Sequence, residues 1–149
     1  MYMSSKIFID SSVLIEALKG NKTDFYTKLI TDNQYECCIN DIVVSEYLYQ
    51  LLGINGGASP LSLKSSKLIP KIIAENISLA MILNDFTFLS GSNLIPVSTI
   101  DYMHRFNLLS NDAIILATCS IYGIKFLASH DSDFTEPCKE LGILLLNDY

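Results

Sequence analysis

Four acids carry the chemical potential of this 149-residue chain: Asp10, Glu46, Asp112 and Asp131. Asp10 ends the apolar run Ile7-Phe8-Ile9, which reads as a buried strand delivering a carboxylate to its C-terminal end. That is where open α/β sheets bind ligands, although aspartate is also an ordinary residue of strand-to-helix turns. Glu46 interrupts an amphipathic helical pattern and is flanked by Val43, Val44, Tyr47 and Leu48. A buried, unpaired carboxylate costs several kcal/mol, so Glu46 is either solvated or supplied with a cation or a hydrogen-bond donor. Asp112 falls in the first turn of a helix opened by Ser110, where an acid gains from the helix dipole whatever else it does. Asp131 follows the short strand candidate 125–129 and is itself followed by Ser132 and Asp133.

Each acid has a structural explanation of its own, but the four share a pattern, each lying at a strand end or near a helix start. Carboxylates gathered about 5 Å apart repel one another by roughly 3 kcal/mol per pair at an effective dielectric near 20, so such a cluster holds protons or cations. An oxygen-only donor set favours Mg²⁺ or Mn²⁺ over zinc. His104 and His130 are not at ligand spacing, and Cys37, Cys38, Cys119 and Cys138 include no C-x-x-C pair. Carboxylate-held Mg²⁺ has a common use: activating water and neutralising charge on a phosphate during in-line displacement. No P-loop, dinucleotide-binding glycine fingerprint or Ser-His-Asp arrangement points to another chemistry. A haloacid-dehalogenase-type phosphatase would place a second Asp two residues after the first, where this chain has Ser12.

The elements that must position these acids alternate. Strands are expected at 7–10, 35–39, 93–97, 125–129 and 142–146, and helices at 11–19, 24–30, 42–52, 61–75, 77–89, from Ser98 or Thr99 to 106, and from 110 to Gly123. Ser11 or Ser12, Asn40 or Asp41, and Ser110 are the expected caps, with Gly53 closing the third helix and 54–60 forming a flexible turn. This alternation implies an α/β fold with a largely parallel sheet. Lys64, Lys67 and Lys71 would form one basic stripe if a helix ran unbroken through Pro70, a residue that favours a kink or a break there.

Half of the residues are hydrophobic and 17% are charged, the composition of a globular chain, and the length suits a single domain over 1–149. No apolar run approaches the roughly 18 to 20 residues of a membrane span, and the N-terminal residues do not read as a secretory signal. Cysteine usage reads as buried thiols, Cys37 and Cys119 among them, in a reducing compartment. A cytoplasmic location, with no membrane association, is the expectation. A net charge of −6 counts against a nucleic-acid partner unless several acids are gathered in one pocket, where a divalent cation reverses the local sign.

Four stretches, Ile9-Asp10-Ser11-Ser12-Val13-Leu14, Val44-Ser45-Glu46-Tyr47, Ser110-Asn111-Asp112-Ala113-Ile114-Ile115-Leu116-Ala117 and Leu127-Ala128-Ser129-His130-Asp131-Ser132-Asp133-Phe134, resemble the signature motifs of PIN-domain nucleases in their order and spacing. The short chain is similar in length to the VapC toxins of toxin-antitoxin operons. The resemblance implies a Rossmann-like, three-layer α/β/α fold and a metal-dependent endoribonuclease that acts on RNA as a homodimer and is inhibited by a cognate antitoxin. Carried over by position, Asp10, Glu46 and Asp112 are metal ligands and Asp131 is the fourth acid, a role Asp133 could share or take over. Ser12 and Ser129 match the hydroxyl positions beside the site, Ser129 standing where the family more often has Thr. A non-catalytic PIN-like scaffold for RNA or protein remains the alternative from another functional class.

Overall fold

A computed structural model describes residues 3–148. Five parallel strands form one sheet in the order β3-β2-β1-β4-β5. They are β1 (Ser5–Ile9), β2 (Tyr35–Ile39), β3 (Thr87–Phe88), β4 (Phe126–Ala128) and β5 (Leu144–Leu146). Ile7, Phe8 and Ile9 of the central strand are at most 1% exposed. Burying such side chains is worth about 1.5–3 kcal/mol each, which is why the apolar run lies at the middle of the sheet rather than at an edge. Helices flank the sheet, as a parallel sheet requires, because each return crossover lays a helix on a face. The α/β fold with a parallel sheet expected from the alternation, Rossmann-like as the resemblance implies, is the architecture present.

The chain moves outward from β1 to β2 and β3, then jumps back across β1 to β4 and continues to β5. The strand order therefore reverses between β1 and β4, and the crevice at their C-terminal ends is the place where doubly wound sheets bind ligands. Three helices begin at this edge. They are α1 (Ser11–Leu18) directly after β1, α3 (Asp41–Gly56) directly after β2, and α8 (Ser110–Ile121), which leads back down towards β4.

Several boundaries differ from the sequence expectation. Residues 93–97 are not a strand. Leu94 caps helix α7 (Ile95–Phe106) without a side-chain bond, so neither Ser98 nor Thr99 is the cap, and Pro96 sits in the first helical turn, where its fixed φ suits a helix. The strand of this region is β3, only two residues long, and it falls inside the stretch expected to be helix 77–89. That stretch instead holds α6 (Ile77–Met81) and a 3₁₀ turn (Ile82–Asp85). Helix α3 runs past Gly53 to end at Gly57, which adopts the left-handed conformation (φ 67°) that terminates helices. Residues 54–56 are thus helical rather than part of a flexible turn. Gly56 lies so close to Leu63 and Ile72 that a Cβ would meet their methyl groups at 2.5 and 2.8 Å.

The lysine stripe does not form. Residues 61–75 divide into α4 (Pro60–Ser65) and α5 (Ile69–Glu75), with Lys67 between them at φ 57°. Lys64, Lys67 and Lys71 consequently follow no common helix face. The remaining helices are α2 (Thr23–Thr31), close to expectation, and α9 (Thr135–Leu141), a short helix outside the expected set. All four cysteines are free, three of them buried and Cys37 half-buried. Among the described residues, no helix is long and apolar enough to cross a membrane.

Candidate active site

Asp10 leaves β1 with its backbone N–H donating to the Ala128 carbonyl of β4 at 2.9 Å. The residue is only 4% exposed. It is itself the N-cap of α1, its side chain accepting from the Ser12 N–H, so neither Ser11 nor Ser12 caps as expected. Asp10 Oδ2 also accepts the Ser12 hydroxyl at 2.6 Å and the Ser129 hydroxyl at 2.7 Å. The two serine oxygens are 3.2 Å apart. Each hydroxyl in turn accepts a backbone N–H at 3.0 Å, Ser12 from His130 and Ser129 from Asp131. This network ties the end of β1 to the loop after β4 and leaves Asp10 Oδ1 without a hydrogen bond among the described residues.

The loop after β4 places the next two acids. Asp131 caps a short 3₁₀ turn (Ser132–Phe134), its Oδ1 accepting the Asp133 N–H at 2.9 Å. Asp112 stands in the first turn of α8, whose cap is Leu109 with no side-chain bond, so Ser110 is not the cap. One carboxylate oxygen from each of Asp112, Asp131 and Asp133 lies within 4.8 Å of the others. At that separation, two ionised carboxylates repel by about 3.5 kcal/mol at an effective dielectric of 20.

The electrostatic consequence falls on Asp112. Burial, reinforced by Asp131, Asp10, Glu46 and Asp133, pushes its carboxyl up to about 6. Burial also raises Asp10, with Glu46 adding repulsion, although the serine hydroxyls pull it back towards the charged form. An acid cluster that resists its own ionisation and exposes unpaired oxygens fits a hard divalent cation, which takes carboxylate and water oxygens. Asp10, Asp112, Asp131 and Glu46 line a cleft of about 450 Å³ bounded by α1 and α3.

A PIN domain family model matches residues 7–140. The chain belongs to the PIN domain family. Among curated proteins, it is 33% identical to Ribonuclease VapC6 of Methanocaldococcus jannaschii over 140 residues, covering 87% of this chain and 91% of the relative. It is 31% identical to Ribonuclease VapC2 of the same organism over 137 residues, covering 87% of each. Among solved structures, its fold is similar to a chain of the toxin-antitoxin complex from Klebsiella pneumoniae (TM-score 0.62, 18% identity, 96% of this chain and 98% of that one). It is also similar to a chain of VapBC-1 from nontypeable Haemophilus influenzae (TM-score 0.65, 10% identity, 95% and 97%).

In this PIN domain, the sequence-derived site residues converge from four segments, but not as one equivalent set. Asp112, Asp131 and Asp133 form the tightest group, whereas Asp10 sits beneath with Ser12 and Ser129. Glu46 is half-buried and its two oxygens are both engaged, Oε2 accepting the Ser11 hydroxyl and Oε1 accepting the Asn111 amide at 2.7 Å. Ser11 and Asn111 are therefore site residues that the sequence reading did not single out. Each neighbours a recognised acid, and only the packing of α1, α3 and α8 reveals that both turn towards Glu46. The two histidines stay outside the cluster, as their spacing suggested. His104 is exposed on α7, and the ring of His130 packs 5.1 Å from that of Phe25.

Proposed function

We propose that this PIN-domain protein is a divalent-metal-dependent endoribonuclease and the toxin of a toxin-antitoxin pair, with Asp10, Glu46, Asp112 and Asp131 as its catalytic acids. The observation that carries the reading is the convergence of these acids at the reversal point of the sheet, lining one cleft in which Asp112 and Asp131 bring carboxylate oxygens together with Asp133. Asp10 Oδ1, Asp112 and Asp131 would hold Mg²⁺ or Mn²⁺, and Asp133 is placed to complete the donor set. When bound, the cation supplies charge neutralisation at the scissile phosphate and a more acidic water.

The chain's own residues prepare that site. Ser12 and Ser129 hold Asp10 Oδ2 and so direct Oδ1 outward, with the backbone N–H groups of His130 and Asp131 fixing both hydroxyl oxygens. Ser11 and Asn111 keep the Glu46 carboxylate at the cleft wall. Supporting hydrogen bonds of this kind orient ligating carboxylates, and losing one commonly costs ten- to a hundredfold in metal affinity or activity.

The ribonuclease assignment draws on the curated relatives, which carry that name, and the antitoxin partner draws on the fold's likeness to chains from toxin-antitoxin complexes. An apolar groove of about 280 Å³ between α1, α2, α3 and the α6 region, lined by Leu14, Leu18, Tyr26, Leu79 and Ile82, offers such a partner a seat. A homodimer is supported by the face of α7 and its flanks, where Leu94, Val97, Ile100 and Leu109 are 58 to 80% exposed. A cytoplasmic setting agrees with four free thiols.

The test is cleavage of a mixed cellular RNA pool by the purified protein, with Mg²⁺, Mn²⁺ or EDTA, beside Asp10→Asn. Discrete fragments that need the metal and vanish in the variant support the nuclease. Cleavage that survives Asp10→Asn refutes this site, and absence of cleavage once any bound antitoxin is removed favours the scaffold alternative.

A further inference from the structure

The acids occupy only one end of the cleft. From them the cleft runs between α1 and α3, with Ile15, Glu16 and Lys19 on one wall and Ser45, Tyr49 and Gln50 on the other. Tyr49 is one helical turn beyond Glu46, about 4.5 Å farther along the α3 axis. Its side chain is 56% exposed, and its hydroxyl has no hydrogen-bond partner among the described residues. An aromatic ring is thus presented to solvent at the mouth of a cleft otherwise lined mainly by polar and charged groups.

Electrostatics alone is a poor explanation of how this cleft retains a nucleic acid. Among the described residues, five acids line it, Asp10, Glu16, Glu46, Asp112 and Asp131, against the one cation of Lys19. The Lys19 ammonium is itself committed to Glu16 at 3.3 Å. The chain as a whole carries a charge of −6. Beyond the phosphate that a cation at the acids would hold, phosphate contacts, the usual source of sequence-independent affinity, are scarce along the cleft, so further attraction there comes from a part of the ligand that carries no charge. Nucleobases supply such a contact, because every base has a π-face that stacks on an aromatic side chain irrespective of sequence.

We propose that Tyr49 is the nucleobase platform of the cleft, stacking an unpaired base next to the phosphate that sits at the acids. The inference rests on the nuclease reading for the identity of the ligand, but its test does not require cleavage. The ring takes a flat aromatic ligand, and its position one turn from Glu46 assigns it the nucleotide adjoining the reactive phosphate.

The absence of tryptophan from the chain makes the test direct. Tyr49→Trp places a lone indole at the platform, and stopped-flow mixing with a short single-stranded RNA in Mn²⁺ records its fluorescence before turnover. Quenching by the RNA, and none by an abasic ribose-phosphate oligomer of equal length, supports stacking. In steady-state cleavage, Tyr49→Ala should raise KM about tenfold or more while leaving kcat within a factor of two, and Tyr49→Phe should behave as wild type. Because the side chain is mostly exposed, Tyr49→Ala should melt with the wild-type protein, which separates lost stacking from lost folding. An unquenched indole, or Tyr49→Ala with unchanged KM, overturns the platform while leaving the nuclease standing. Quenching in a protein that cuts no RNA overturns the nuclease while leaving the platform standing, and wild-type protein that binds no RNA overturns both.

Discussion

Replacing Asp112 by Asn should make the metal-free protein more stable while abolishing its activity. The carboxyl is pushed to about 6 from an ordinary value of 3.8, chiefly by burial and then by Asp131, Asp10, Glu46 and Asp133. A displacement of about two pH units corresponds to roughly 3 kcal/mol at 1.36 kcal/mol per unit. Asp112 is only half-buried, so solvent screening reduces the usable figure to about 1.5 kcal/mol. For a chain of this length, each kcal/mol shifts the melting temperature by about 2–4 °C, so Asp112→Asn should melt about 3–6 °C above wild type in EDTA at pH 7.5. Between the unfolded and folded values the folded protein binds more protons than the unfolded one, so wild-type stability rises as pH falls below about 6, and the gap to the variant narrows progressively and closes only near the unfolded value of 3.8. Saturating Mn²⁺ should reverse the order, because a ligand at a hundred times its Kd stabilises the protein that binds it by about 2.7 kcal/mol. Thermal denaturation of both proteins across pH, with EDTA or Mn²⁺, measures all three effects. A variant that melts at or below wild type in EDTA at pH 7.5 would refute the claim that the acids oppose one another in the fold.

Ser129→Ala removes a donor from buried Asp10 and should weaken Mn²⁺ binding by about ten- to a hundredfold, measured by calorimetric titration, with Ser129→Thr restoring it. Asn111→Ala frees Glu46 Oε1 and should lower kcat/KM by about tenfold without lowering the melting temperature, since the Asn111 side chain is exposed. Mn²⁺ affinity of the wild-type protein should fall as pH drops below about 6, because protons then compete for Asp112, and titrations at pH 5 and 7.5 check this. Tyr47→Phe should cost about 1 kcal/mol in urea denaturation, because the buried phenol donates to the Leu79 carbonyl at 2.8 Å and so pins α6 to α3.

The parts of the fold legible in the sequence are those where a strong local pattern coincides with deep burial. Strand β1, the start of α3 and the body of α8 declare themselves because burial imposes an apolar pattern that little else produces. Strand β3 does not, because two residues carry no period. Its pairing with Cys38 and Ile39 is fixed by the neighbouring strand rather than by its own sequence. The stretch around Leu94 and Val97 misleads for the opposite reason, since its apolar residues are exposed on a helix start and not buried in a sheet.

The sequence by itself determined which acids exist, that Asp10, Asp112 and Asp131 stand at strand ends or in a helix first turn and Glu46 within an amphipathic helix, and that no thiol or imidazole accompanies them at ligand spacing. Those properties are local, written in residue type and neighbours. Only the tertiary structure decided that Asp133 joins Asp112 and Asp131 in the tightest group, that Asp10 is held from below by two serines, and that Ser11 and Asn111 restrain Glu46. The partners in these contacts are up to 119 residues apart along the chain. Their meeting depends on the reversal of strand order between β1 and β4, a property of how the whole sheet closes that no single segment encodes.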